Sequence, residues 1–189
     1  MDALIQDLLS YSSLSRSEMK FEAVRWSVVI ESVLALLAEN IKAKDAVIQI
    51  APDLPSVIGH QLTLEHILSN LIAHSLKFIR PDLRPEIRLW TERREGGVVR
   101  LWVEDNGMGS APEHHEPVFG IFERLHNTES YPGSGIGLAI VRKGAERMRG
   151  KVGVESQVGS GSRFWIDRQP HRTPRFRERV ELKLKQKGS

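Results

Sequence analysis

The chain of 189 residues contains no cysteine. Disulfide frameworks and cysteine-based zinc sites are therefore excluded, and a cytoplasmic setting is the default expectation. No apolar run approaches the length of a membrane span, and no signal-peptide pattern opens the chain. Any membrane-inserted part of a longer receptor is expected to lie outside this sequence. Aromatic residues are sparse at 6%, whereas hydrophobic content of 40% and charged content of 27% are ordinary for a globular domain. The length suits one domain with a true core plus appendages, and no internal repeat is present.

An excess of positive charge is absent except at one end. Arg168, Arg172, Arg175, Arg177, Arg179, Lys183, Lys185 and Lys187 face only Glu178 and Glu181 across residues 168–189. With a net charge of +3 overall, the rest of the chain is net acidic. The basic stretch is read as a solvated C-terminal tail, with nucleic-acid binding through that tail as the less favoured alternative.

Periodicity predicts the elements. Leu4, Leu8 and Tyr11 at helical spacing read as the end of an amphipathic helix over 3–14, from which an N-terminal part is expected to be missing. A short strand at 21–24 precedes a helix over 27–43 and a strand at 47–50, after which Pro52 and Pro55 break the chain. Residues 61–78 carry Leu64, Ile67, Leu68, Leu71 and Ile72 as a core-facing stripe. Residues 86–92 and 98–104 alternate as a hairpin, and 106–134 is a long aperiodic loop. A helix from Gly135 to Arg149 and strands at 151–155 and 162–166 close the chain. The order predicts an α+β two-layer sandwich with helices on one face of a mixed sheet.

Four elements carry chemistry. His66, Asn70, His74 and Lys77 share one helix face, within ~80° at 100° per residue, away from the apolar stripe. Asp105-Asn106-Gly107-Met108-Gly109 ends a strand with a carboxylate that can accept from an exocyclic amine, beside glycines that permit close approach. Gly133-Ser134-Gly135-Ile136-Gly137-Leu138 runs into a helix, exposing backbone N–H groups at its positive end, as phosphate sites do. It is neither a dinucleotide fingerprint nor a P-loop. Gly159-Ser160-Gly161-Ser162 joins two strands. Taken singly, each is also what a solvated helix face or an ordinary turn looks like.

In this order the four resemble the N box and three glycine boxes of the Bergerat-fold ATPases, the superfamily of gyrase, a heat-shock chaperone, histidine kinases and MutL. Within it the text resembles the histidine kinases. Asn70-Leu71-Ile72-Ala73-His74-Ser75-Leu76-Lys77-Phe78 is similar to N-L-x-x-N-A-x-K-F, and Phe122-Glu123-Arg124-Leu125-His126 to the F box. The string from Tyr131 to Val141 resembles that of phytochrome-like and PAS-linked sensor kinases. The opening, Asp2 to Ser12, resembles the end of a second dimerisation helix.

The resemblance, over about 1–167, implies the end of a dimerisation helix at 1–16, an ATP-binding catalytic domain at 17–167 and a basic tail at 168–189. It implies that Asp105 binds the adenine amino group and that Gly107 and Gly109 let the nucleotide lie against the chain. Residues 110–134 would form an ATP lid, with Tyr131, Gly133, Ser134 and Ile136 along its closing string. Backbone N–H groups of Gly135, Gly137 and Leu138 would hold phosphates. Asn70, Lys77 and Arg124 would act in catalysis, with His126 beside them, and Ser162 would supply a hydroxyl. The cofactors implied are ATP and Mg2+, with Asn70 and His74 at the metal positions. His74 departs from the family's asparagine, and imidazole suits hard magnesium poorly. His60 and Gly144 are lesser departures.

None of the seven histidines, His60, His66, His74, His114, His115, His126 and His171, stands in the acidic-Arg-Thr-Pro context of a phosphoacceptor. The implied function is transfer of the ATP γ-phosphoryl group to a histidine on a separate dimerisation domain, with a response-regulator receiver domain as the further partner. The alternative is a degenerate domain that binds nucleotide or a partner without catalysis. A serine kinase of the anti-sigma-factor type is a third reading, and the opening helix counts against it.

Overall fold

The computed structural model describes residues 2–16, 18–123 and 133–171. The order is α1 (Asp2–Arg16), β1 (Glu22–Val24), α2 (Trp26–Leu36), α3 (Ala38–Ala43), β2 (Val47–Ile50), β3 (Val57–Gly59), α4 (Gln61–Lys77), β4 (Glu86–Arg93), β5 (Val99–Asp105), α5 (Gly137–Arg147), β6 (Lys151–Ser156) and β7 (Ser162–Arg168). Five strands form a mixed sheet in the order β2-β4-β5-β7-β6, with β2 parallel to β4 and the remaining pairs antiparallel. β1 and β3 make a separate antiparallel pair. This is the expected α+β sandwich.

Strand alternation assigns the two faces. Ile87, Leu89, Leu101, Val103, Phe164 and Ile166 point into one core with Val29, Val33, Leu64, Leu68, Leu71 and Val141 of the helices. The fully buried Leu64, Ile67 and Leu68 of α4 each contribute about 1.5–3 kcal/mol by leaving water. The intervening positions form rows across the opposite face. Trp90, Trp102 and Trp165 stand in one register, with Gly153 next in line. Trp90 and Trp102 stack at 5.8 Å. Arg100 lies over Trp165 at 3.7 Å and grips Asp167 through two hydrogen bonds of 2.7 and 2.8 Å. A Cβ on Gly153 would come within 2.3 Å of the Trp165 ring, so only glycine lets that indole lie flat.

Several elements differ from the sequence expectation. The helix expected over 27–43 is two, kinked at Leu37. Leu37 N still donates to Val33 O and Leu37 O still accepts from Ile41 N, so the bonding continues through the bend. α2 follows the core through Trp26, Val29, Ile30 and Val33, whereas α3 has no fully buried residue and packs on the core only through the partly buried Ile41. β3 is three residues long, too short to show a period. α5 starts at Gly137, two residues later than expected, because Gly135 has φ +73° and stays in the loop. Gly144 allows α5 to cross α4 closely: a Cβ there would touch Ile67 and Thr63 side chains at 3.0 Å.

Of the loop expected over 106–134, residues 124–132 lie outside the described ones, and the part before them holds local structure. Short 3₁₀ turns at Pro112–His114 and Pro117–Phe119 carry Phe119 into the core, and Arg142 of α5 pairs with Glu116. Residues 168–171, counted with the tail from sequence, pair with the fold instead. Arg168 is buried in β7 and donates to Met148 O and Ile58 O, and burial pushes its guanidinium down to about 10. Pro170 bridges to Val57, and His171 N donates to Ser56 O. Among the described residues no helix is long and apolar enough to cross a membrane.

Candidate functional site

A cavity of about 350 Å³ opens between α4, the end of β5, β6, β7 and the N-terminus of α5. Asp105 is at its floor. Because β5 is central and antiparallel to both neighbours, its last residue emerges under the core at the mouth of the Gly-rich turns. The Asp105 carboxylate is buried and held by three donors. Oδ1 accepts from Gly107 N at 2.9 Å and from Ser162 N at 3.1 Å, and Oδ2 accepts from Ser75 Oγ at 2.9 Å. Burial pushes its pKa up, the three hydrogen bonds pull it back, and neighbouring Glu104 adds a small upward push. A carboxylate has about four lone-pair sites. Oδ1 is filled, and Oδ2 keeps one site toward the cavity.

Two turns interlock above this floor. Gly109 has φ +65°, and a Cβ there would overlap Gln157 O at 1.9 Å. Gly161 has φ +85°, and a Cβ there would lie 2.0 Å from Asp105 O. Gly159 N donates to Met108 O, and Ser156 Oγ accepts from Ser110 N, donates to Gly161 O and meets Ser162 Oγ at 2.9 Å. The β6–β7 turn thus clamps the loop after β5.

At the other end, α5 begins at Gly137, and the amides of its first turn have no partner within the helix. Backbone N–H groups and the positive end of the dipole therefore point at the cavity. Asn70 Oδ1 would lie 2.8 Å from a Cβ on Gly137, and Lys77 Nζ 2.4 Å from one on Gly133, so both side chains sit where those glycines leave room. Asn70 Nδ2 is tied back to His66 O at 2.7 Å, which turns its oxygen outward. His74 packs 4.4 Å from the Phe78 ring and edge-on to Phe164 at 5.1 Å.

Of the residues proposed from sequence, Asn70, His74, Lys77, Asp105, Gly109, Gly133, Ser134, Gly135, Gly137, Leu138 and Ser162 line this one cavity. Gly107 sits behind it, donating to Asp105, with Phe78 O where a Cβ would go. Ile136 does not reach the cavity: its side chain is fully buried with Leu14 and Ile140 between α1 and α5. Arg124, His126 and Tyr131 fall outside the described residues.

Sequence reasoning missed several neighbours. Asp7 of α1 lines the cavity and accepts from Ser134 Oγ, which in turn accepts from Ile136 N. Its distance along the chain hides it. Ser75, Ser156, Val118, Val154 and Phe164 were also missed; the serine within the N box was the one visible signal. Among the described residues, no group of three His, Asp or Glu side chains is placed to hold a metal ion. A buried anionic acceptor, apolar walls, and a lysine with helix amides opposite make a site for a flat amine-bearing ring with an anionic tail.

Residues 59–173 match the family model described as histidine kinase-, DNA gyrase B-, and HSP90-like ATPase. The phytochrome-like protein Cph1 of Synechocystis is 36% identical over 166 residues, 88% of this chain and 22% of the relative. The methanogenesis regulatory histidine kinase FilI of Methanothrix harundinacea is 32% identical over 163 residues, 86% of this chain and 18% of that protein. Among solved structures, full-length ShkA in complex with AMPPNP superposes with a TM-score of 0.74 at 28% identity, covering 87% of this chain and 35% of that one. The mycobacterial sensor histidine kinase MprB shares the fold, with a TM-score of 0.69 at 24% identity over 80% of this chain and all of that one. The chain thus spans about a fifth of the curated relatives it matches.

Proposed function

Because the chain belongs to the histidine kinase-, DNA gyrase B- and HSP90-like ATPases, and is the ATPase catalytic domain of a sensor histidine kinase, we propose that it transfers the γ-phosphoryl group of ATP to a histidine on a dimerisation domain outside these residues. A receiver domain of a response regulator is the partner that next takes the phosphoryl group. One observation carries the reading: Asp105 and the glycines opening α5 line the same cavity. Adenine would place its amino group against Asp105 Oδ2, and the phosphates would lie at Gly135, Gly137 and Leu138, with Lys77 and Asn70 alongside. In the transfer, the bond from the γ-phosphorus to the ADP oxygen breaks as one to the imidazole nitrogen forms. Little covalent chemistry is asked of the protein, and positioning and charge neutralisation do most of the work. The reading extends to the boundaries: α1 is the end of the dimerisation helix, and the catalytic unit runs from there through the sheet.

Magnesium is the usual companion of nucleotide phosphates and demands hard oxygens. Asn70 Oδ1 meets that demand. His74 does not: an imidazole is a soft choice, and its ring is packed against Phe78 and Phe164. The test is an ATP titration with and without magnesium, for the native chain and for His74→Asn, alongside phosphoryl transfer to a supplied dimerisation domain. The expected result is ATP binding by both forms, with transfer about tenfold faster in His74→Asn. Tight magnesium-independent binding with no transfer in either form would instead make this a nucleotide-binding interaction module.

Asp7 adds a charge on the wrong side of the ledger for an anionic ligand. Asp7→Asn keeps an acceptor for Ser134 and removes the negative charge beside the phosphate end. ATP affinity should rise roughly threefold, the scale of a half-exposed charge interaction, and the gain should shrink as salt is added. Weaker binding in Asp7→Asn would mean that the carboxylate organises the loop more than it repels the ligand.

A further inference from the structure

Ser75 departs from the alanine usual at its place in the N box and has an unusual hydrogen bond. A helix serine ordinarily turns its hydroxyl back to a carbonyl one turn earlier. On this same helix, Ser69 Oγ donates to His66 O at 3.0 Å and Asn70 Nδ2 does likewise at 2.7 Å. Ser75 is 1% exposed, does not line the cavity, and instead reaches thirty residues along the chain to Asp105 Oδ2 at 2.9 Å. The bond falls on the carboxylate oxygen that has a single donor among the described residues and so keeps a lone pair for a ligand in the cavity Asp105 lines. Oδ1 already accepts from Gly107 N and Ser162 N, so those donors fix where the carboxylate sits, and Ser75 acts on the oxygen that reads the ring.

We propose that Ser75 is a positioning residue which, by donating to Asp105 Oδ2, sets the pocket's preference for an amine-bearing over an oxo-bearing purine. This rests on the reading of Asp105 as the acceptor of the adenine amino group. A hydroxyl that donates to Oδ2 leaves that oxygen an acceptor toward the cavity. An amino N–H on the ring then finds a lone pair, whereas a ring carbonyl at the same position meets one acceptor with another. Without the hydroxyl, the carboxyl group loses a bond made only by its ionised form, while the burial that favours the protonated form remains. A protonated Asp105 turns from acceptor to donor, so an oxo group gains where an amine loses. The sign follows: lowering the pH should erode the preference for the amine in Ser75→Ala and leave it standing in the native chain.

The charged and titratable groups around Asp105 are Glu104 on β5, His74 and Lys77 on α4, and Asp7 and Glu123 at the cavity. All are common to both forms, and ATP and ITP carry the same triphosphate. The ratio of their affinities therefore isolates the ring contact. The experiment measures ATP and ITP binding to the full chain at pH 6 and pH 8, for the native protein, Ser75→Ala and Ser75→Thr. Carbon-13 NMR of the Asp105 carboxyl group provides a second readout that needs no ligand. In Ser75→Ala the ATP-over-ITP preference should fall about tenfold at pH 6 and less at pH 8, the scale of one charged hydrogen bond. The Asp105 titration should move to higher pH, and Ser75→Thr should restore both. An unchanged preference at both pH values, with an unmoved carboxyl titration, overturns the proposal and leaves Ser75 a packing residue. A native chain that binds ATP and ITP equally overturns the reading of Asp105 itself, and the proposal falls with it.

Discussion

Asp105→Asn should weaken ATP binding roughly a hundredfold, about 3 kcal/mol, with the fold intact. The substitution is close in shape. Asparagine keeps a carbonyl oxygen that can accept from Gly107 N and Ser162 N as Oδ1 does now. What changes is the other atom. Oδ2, which accepts from Ser75 and keeps the free lone pair, becomes an NH2 group that points a donor at the Ser75 hydroxyl and at the amine of a bound adenine. The hydroxyl can rotate to become an acceptor, whereas a ring amine cannot. A site built to pair with a polar group penalises the mismatch heavily because both partners are buried. Isothermal titration with ATP measures the loss, and a melting temperature within about 5 °C of native confirms that structure survives. Affinity within threefold of native would remove Asp105 from the binding site.

The second large effect is on the clamp above that aspartate. Gly161→Ala should cost about 3–5 kcal/mol and lower the melting temperature by about 10 °C or more. Two penalties add. The residue holds φ +85°, a conformation an alanine adopts only at a cost of ~1–2 kcal/mol. The new Cβ would also lie 2.0 Å from Asp105 O, a backbone atom that cannot swing aside without dragging the carboxylate with it. Gly159 is the internal control, on the same turn, with φ +80° and nothing within 4 Å of a would-be Cβ. Gly159→Ala should show the conformational cost alone. Thermal melts of the two variants separate strain from collision, and equal losses would refute the collision. Gly161→Ala should also lose ATP affinity in the same titration.

The distances explain what the sequence could and could not reveal. The glycine motifs were legible because several of their glycines mark a close approach: backbone atoms lie within 3 Å of the missing Cβ at Gly107, Gly109 and Gly161, and the Asn70 side chain does so at Gly137. The helix over 61–78 was legible because its apolar stripe faces the core without interruption. The kink at Leu37 was not, since both halves have helical periods and only the direction of the core separates them. β3 and the pairing of residues 168–171 were not legible because such short contacts carry no period, and in the sequence Arg168 is one more basic residue of the C-terminal stretch, although its guanidinium donates to two carbonyls. Ser75 was visible as a departure from the N-box alanine, but its partner is set by how α4 crosses β5. Asp7 needed the packing of α1 on α5, through Leu14, Ile136 and Ile140, to bring it to the cavity.

The indoles on the far side of the sheet give the chain a convenient spectroscopic property. Three of the four tryptophans form that row, the fourth is buried at the start of α2, and none borders the cavity between α4 and α5. Intrinsic emission should therefore follow the melting of the sheet and remain silent to ligand, so a single fluorimeter trace reports unfolding free of any signal from occupancy.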